Sequence, residues 1–136
     1  MSNSGSISQT SRLAFFTIAL LGTACNFVQV RYPQGTTEYL SRAEFEVYVE
    51  AVFRYHNQVL NDLIVATSFV DEDELDNPQL EEAEIRMQAA CQPLNAIVSA
   101  TMEGREIGFF TKLQLPESAP ACEARSRHVA ALLAPS

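Results

Sequence analysis

Two histidines and three cysteines are the side chains best suited to chemistry in this sequence of 136 residues. His56 falls on an apolar helical stripe and His128 lies near the last residues, so two imidazoles meeting in a helical bundle could ligate haem or a metal ion. The chain has, however, neither a Cys-x-x-Cys-His attachment motif nor a Glu-x-x-His pair. We therefore predict that His56 is a hydrogen-bonded core residue, with Asn95 or Thr101 of the facing helix as its candidate partner and a weaker case for a metal ligand. His128 is predicted to lie at the surface.

Other potential metal ligands have simpler interpretations. Met87 lies on an apolar stripe, where packing is commoner than thioether ligation. The acidic run at residues 71–76 places carboxylates at the first and third positions of a calcium loop. Leu75 and Asp76, however, occupy the positions where that loop needs an oxygen ligand and a glycine. A solvated acidic turn is the better interpretation, and the sequence predicts neither a metal site nor a cofactor.

Support for catalysis is weak throughout the sequence. Ser99 and Thr101 have no evident base partner, and the chain contains no glycine-rich phosphate loop or nucleophile elbow. Carboxylates such as Glu50 and Glu84 could meet across two helices, but no pattern selects them. We predict that the chain has no catalytic residues and is not an enzyme.

The overall charge argues against a nucleic-acid partner. The formal net charge is -8, and the nine basic residues do not cluster. Binding to a phosphate backbone depends on neutralising it with Lys and Arg, so a nucleic-acid-binding protein is not expected. The length and an apolar content of 47% suit one globular domain.

The first 24 residues differ in composition from the rest of the chain. Residues 1–11 are polar and lack acidic side chains, Arg12 adds a positive charge, and a mainly apolar run at 13–21 precedes small residues. This layout is typical of a secretory signal peptide, and the apolar run is too short to span a bilayer. The alternative is a buried first helix of a cytosolic domain. The sequence predicts a signal peptide at 1–24.

The end of this leader matches a sorting motif. Its residues are Leu21, Gly22, Thr23, Ala24 and Cys25. They resemble the lipobox of bacterial lipoproteins, although Gly22 stands where Leu is usual. The resemblance implies that Cys25 is acylated, with palmitate among the chains attached, and becomes the first residue of the mature protein. Asn26 stands in place of the Asp that retains lipoproteins in the inner membrane, which implies the periplasmic face of the outer membrane in a Gram-negative cell.

Charge agrees with a lipid anchor. Removal of residues 1–24 would leave eight basic and 17 acidic side chains, a net charge of -9. Anionic headgroups repel such a surface, so membrane attachment has to come from the lipid. Basic proteins are the favoured partners.

The two remaining cysteines predict a disulfide. With Cys25 acylated, Cys91 and Cys122 form an even pair, and such pairs are commonly oxidised outside the cytoplasm. Free buried thiols and a metal-binding pair are the alternatives.

The rest of the sequence predicts an all-α domain at 41–136, preceded by a lipidated tether at 25–40. Ser41 and Glu44 form a capping box, and apolar residues at alternating spacings of 4 and 3 predict a helix over 41–69. Asn77 followed by Pro78 predicts the start of a second helix, which we expect to bend at Pro93 and to end near residue 103.

The last third of the sequence contains helix breakers. Gly104 predicts a turn that lets Cys122 return to the level of Cys91. A short helix over 105–115, a proline-containing loop over 116–120 and a final helix complete a predicted bundle of about four helices, one of them short.

Two functions fit these features. The first is a non-enzymatic interaction or assembly factor of the cell envelope. In size, tether and cysteine count the chain resembles the pilotins, small helical lipoproteins that bind the tail of a secretin in a groove between helices. The alternative is a bundle that binds a small ligand, haem or a metal, with His56 at its centre.

Overall fold

The computed structural model describes residues 27–68 and 77–134, which form one hairpin and three helices. In chain order they are β1 (Phe27–Arg31), β2 (Thr37–Ser41), α1 (Arg42–Ser68), α2 (Pro78–Met102) and α3 (Phe109–Leu133). The predicted signal peptide, Cys25 and the acidic run at 71–76 lie outside the described residues. Within the described ranges, no helix is long and apolar enough to cross a membrane.

A β-hairpin occupies the segment that the sequence assigned to a tether. Strands β1 and β2 pair antiparallel, with Val28 opposite Leu40. Tyr32 donates a backbone hydrogen bond to the Thr36 carbonyl (2.9 Å), and Gly35 takes the positive φ of 89° that the turn requires. Val28 and Val30 point to one side of β1, and Val30 is fully buried. This short alternation of β-branched and polar residues suits a strand, and the tether interpretation did not account for it.

Helix α1 begins as the capping box predicts. Ser41 donates its backbone N–H to Glu44 Oε2 (2.8 Å), and the Glu44 N–H donates to Ser41 Oγ (3.3 Å). Hydrogen bonding of the Glu44 carboxyl to the Ser41 hydroxyl, and to a smaller extent to the Ser41 backbone N–H, lowers the pKa of that carboxyl. The predicted apolar stripe is buried at Phe45, Val52, His56, Val59 and Leu63.

Helix α2 also begins where predicted. The Asn77 side chain accepts a hydrogen bond from the Leu80 N–H (3.1 Å), and Pro78 takes the first helical position. The helix continues through Pro93 to Met102. Gly104, at a φ of 64°, then turns the chain, as the sequence indicated.

Helix α3 corrects the predicted four-helix bundle. The short helix, loop and final helix expected over 105–136 are replaced by one helix, which includes Pro116 and Pro120. Each proline removes a backbone hydrogen bond, at a cost of about 3 kcal/mol in a helix interior. Burial offsets that cost, since Ala119, Pro120 and Cys122 are buried against the neighbouring elements. The all-α expectation therefore holds only in its coarser form, a mainly helical fold with a small hairpin.

The core lies along α3, which packs against both other helices, whereas α1 and α2 touch each other at few points. The central residues come from all three helices: Val52, Val59, Met87, Leu94, Cys122 and Val129. The hairpin packs on α3 through β1. The arrangement leaves an open cleft where α1 and α2 diverge.

A polar tie also joins α1 to α3. The Tyr48 hydroxyl donates to Glu123 Oε2 (2.8 Å), and Glu123 pairs in turn with Arg127 (2.7 Å). Burial, together with the bond to Glu123, raises the pKa of Tyr48, so its hydroxyl keeps its proton. Arg127 also lies 5.9 Å from the centre of the Tyr55 ring. The tie therefore fixes the relative position of these two helices beside the core.

Candidate functional site

Four polar or sulfur-bearing side chains meet in the middle of the apolar core. His56 comes from α1, Cys91 from α2, and Cys122 and Ser126 from α3. None is more than 1% exposed. The two sulfur atoms are 2.01 Å apart, at disulfide distance, in agreement with the predicted pairing. We call this group the sulfur–imidazole centre.

The centre is poor in hydrogen bonds. Ser126 Oγ lies 3.5 Å from His56 Nδ1 and 3.9 Å from Cys91 Sγ, which are long contacts. Among the described residues, His56 Nε2 has no hydrogen-bond partner, although it is buried. One ligating atom from each of His56, Cys91 and Cys122 lies within 4.8 Å of the others.

The partner of His56 differs from the sequence prediction. We expected Asn95 or Thr101, on the assumption that α2 faces the histidine. Ser126 of α3 lies there instead, because α3 packs against both other helices. The Thr101 hydroxyl donates to the Ile97 carbonyl on its own helix (2.8 Å).

Burial controls the charge of this histidine. Desolvation lowers the pKa of the His56 imidazole below its ordinary value. No carboxylate of the described residues is hydrogen-bonded to the ring, and the disulfide sulfurs do not titrate. The ring is therefore neutral at pH 7, with a lone pair available on one nitrogen.

A pH dependence of stability follows. Burial lowers the pKa of His56 in the folded state below its ordinary value of about 6.5. The contribution of His56 to folding stability is therefore complete above about pH 6.5. It is lost at lower pH, because the unfolded chain takes up the proton more readily than the folded chain. We expect the melting temperature of the wild type to fall between about pH 7.5 and pH 5.5 more steeply than that of His56→Gln. His128→Gln, at an exposed position, is the matched control and should keep the wild-type slope. Equal slopes in all three proteins would contradict a buried, neutral His56.

A second feature is an apolar groove between α1 and α2, with a volume of about 590 Å³. Its walls are Phe45, Val49 and Phe53 on α1, and Leu94, Ile97 and Val98 on α2, with Leu115 of α3 and Ile107 at one end. A smaller cavity of about 280 Å³ shares Phe45 and Ile97 and continues the groove to Val28 of the hairpin.

Charged side chains stand at the edges of the apolar groove. Glu46 and Glu50 lie along the α1 side. Arg42 and Lys112 lie at the hairpin end. The exposed Glu46 and Glu50 pair with arginines one turn away on α1, but exposed pairs of this kind are weak and leave the carboxylates open to other cations.

Helical spacing in the sequence predicts that some of the groove residues belong to the core. Val49, Leu94 and Ile97 lie on the predicted apolar stripes, yet only Leu94 is fully buried, whereas Val49 and Ile97 are half-buried. Helical periodicity does not distinguish a side chain packed by another helix from one that faces an open cleft.

Of the other residues considered from the sequence, Glu50 and Thr101 line the apolar groove, and none belongs to the sulfur–imidazole centre. Met87 is fully buried in the core. Glu50 binds Arg54, and Glu84 accepts a hydrogen bond from Gln88 (2.8 Å), in each case within one helix. His128 lines a shallow cavity of about 270 Å³ beside Glu82 and Arg86.

Comparison with known proteins adds no family: no protein-family model, curated protein or solved structure matches the chain.

Proposed function

We propose that the protein is a lipid-anchored, extracytoplasmic lipoprotein that acts without catalysis as an interaction or assembly factor of the cell envelope. In this proposal it binds an amphipathic helix of a partner protein in the apolar groove. The observation that carries the proposal is the groove itself, an apolar cleft of about 590 Å³ on a small, acidic domain.

The shape of the groove suits a helix. Phe45, Val49 and Phe53 are spaced by four residues and form one stripe along α1, about 12 Å long at 1.5 Å per residue. Leu94, Ile97 and Val98 face them from α2. Two turns of a helix from the partner protein would fill the space between these walls, with apolar anchors at positions i, i+3 or i+4, and i+7.

Charge indicates which helix is favoured. Glu46 and Glu50 border the groove, and the chain after residue 24 has a net charge of -9. Lys or Arg beside the apolar anchors of the partner would complement these carboxylates. Arg42 and Lys112, at the hairpin end, favour the negative end of the helix dipole, so the partner's C-terminus would lie there.

The location rests on the leader. The positively charged start, the apolar run at 13–21 and the lipobox ending at Cys25 support export and acylation. In a Gram-negative cell, Asn26 favours the outer membrane, with the domain in the periplasm. Attachment through lipid also fits a surface that anionic headgroups repel.

A defined peptide tests the groove. The chain from residue 25 onward, carrying Cys25→Ser, is mixed with a fluorescent helical peptide of about 18 residues that has a leucine stripe flanked by lysines. We expect saturable binding by fluorescence anisotropy, at least about tenfold weaker for Ile97→Glu, because a carboxylate would be desolvated against the leucines. Ile85→Glu is the matched control, since Ile85 lies on the same helix, is 61% exposed and does not line the groove.

Two further measurements make this test specific. A peptide with glutamates in place of the lysines should bind more weakly, and added salt should reduce that difference. If Ile97→Glu and Ile85→Glu bind the lysine peptide equally well, the groove is not the binding site. If a free fatty acid displaces the peptide and binds far more tightly, the groove is a lipid pocket and the proposed partner is wrong.

A further inference from the structure

We propose that the sulfur–imidazole centre is a zinc site in the reduced protein: when the disulfide opens, Cys91, Cys122 and His56 bind one Zn²⁺. This inference does not depend on the proposed partner or on the membrane anchor. It uses a part of the molecule that the apolar groove does not include.

The geometry brings the required ligands together. One helix contributes the imidazole and the other two contribute one sulfur each, with the ligating atoms within 4.8 Å of one another. In a tetrahedral zinc site, Zn–S bonds of about 2.3 Å place two sulfurs roughly 3.8 Å apart. The two sulfurs are bonded to each other in the oxidised protein, so the bond has to open and the two side chains have to turn apart before an ion fits between them.

The ligand types select zinc over the commoner hard cations. Two thiolates and an imidazole are soft or borderline donors, whereas Ca²⁺ and Mg²⁺ require several oxygen ligands. Ser126 Oγ, 3.5 Å from His56 Nδ1 and 3.9 Å from Cys91 Sγ, is placed to complete the coordination or to hold a water that does so. The charges of two thiolates and Zn²⁺ cancel, which suits a site that is fully buried.

The unpartnered histidine nitrogen is an independent observation in favour of a ligand. His56 is 1% exposed, yet its Nε2 makes no hydrogen bond within the described part of the chain. Buried polar atoms are usually paired, so the ring has an unused capacity to bind one more partner. Burial also lowers the pKa of the imidazole, which keeps it in the neutral form that ligates metals.

A dithiol can supply the electrons that open the Cys91–Cys122 disulfide. Two electrons and two protons from the dithiol convert the Cys91–Cys122 disulfide into two thiols, and the dithiol itself becomes a disulfide. Zn²⁺ then displaces the two thiol protons and forms two Zn–S bonds and one Zn–N bond. Because disulfide sulfurs are not thiolates, oxidation and metal binding exclude each other.

Titration of the intact chain tests the site. The chain is reduced with dithiothreitol, freed of it without oxygen, and titrated with Co²⁺ as a spectroscopic probe and then with Zn²⁺ against a chromophoric chelator. We expect one ion per chain, a thiolate-to-cobalt charge-transfer band with tetrahedral d–d absorption, and about two protons released per ion at a pH below the thiol pKa. The oxidised chain should bind neither ion at the centre.

Variants decide whether the histidine is a ligand. His56→Gln should weaken Zn²⁺ binding at least tenfold and change the cobalt spectrum, whereas His128→Gln should leave both unchanged. Thermal melting is a second measurement, because reduction of the disulfide also destabilises the domain. Zn²⁺ should raise the melting temperature of the reduced wild type more than that of reduced His56→Gln. Wild-type affinity and spectrum in His56→Gln, no binding by the reduced chain, or equal binding by the oxidised chain would each overturn the proposal.

Discussion

Replacing Cys91 and Cys122 together with alanine should lower the melting temperature of the domain by roughly 15 to 25 °C. The disulfide joins residues 31 positions apart, and closing a loop of that size stabilises the folded state by roughly 3 to 4 kcal/mol relative to the unfolded chain. In a domain of about 100 residues, each kcal/mol corresponds to about 4–8 °C. Scanning calorimetry of the oxidised wild type and the double variant measures the difference.

The position of the Cys91–Cys122 disulfide explains why its removal should lower the stability of the domain. It ties α2 to α3 at the centre of the core, and both cysteines are completely buried. Reduction of the wild type in metal-free buffer should therefore give a similar decrease. Ser126→Ala, which changes the same centre without removing the bond, is the control and should cost only about 1 kcal/mol. A double variant that melts within a few degrees of the wild type would show that packing along α3 alone holds the helices together.

Replacing Cys25 with serine should abolish lipid attachment. Serine has no thiol to acylate, and the surface charge of the chain opposes binding to anionic membranes. We expect radiolabelled palmitate to enter the wild type and the Cys91→Ala/Cys122→Ala control, but not Cys25→Ser. In cell fractionation, the Cys25→Ser protein should appear as an unprocessed or a soluble form that has no lipid anchor. If it remains in the membrane fraction with the processed mass, or if palmitate never labels the wild type, the lipoprotein proposal is wrong.

Local signals predicted the first two helices well. Ser41 with Glu44, and Asn77 with Pro78, satisfy backbone N–H groups within one turn, so their effect does not depend on the rest of the fold. The third helix was missed for the opposite reason. Pro116 and Pro120 are unfavourable locally, and only the burial that they and their neighbours gain in the assembled core makes a continuous helix possible.

The candidate site was predictable in parts. Two cysteines left after the leader indicated the pair, and the apolar spacing around His56 indicated its burial, in agreement with the structure. The role of Ser126 depends on which helix packs against α1, and no short-range pattern reports that. The groove escaped prediction because Val49 and Ile97 carry the same periodicity as true core residues.

The hairpin limits how far the domain can stand from a membrane. β1 begins at Phe27 and packs on α3, so only two peptide units separate Cys25 from a part of the chain with a fixed place in the fold. Even fully extended, those two units span about 7 Å. Acylation at Cys25 would therefore hold the hairpin against the headgroups, and Val28, at the near end of the groove, would lie close to them as well. A protein anchored in this way would meet partner segments that emerge from the bilayer or lie along it.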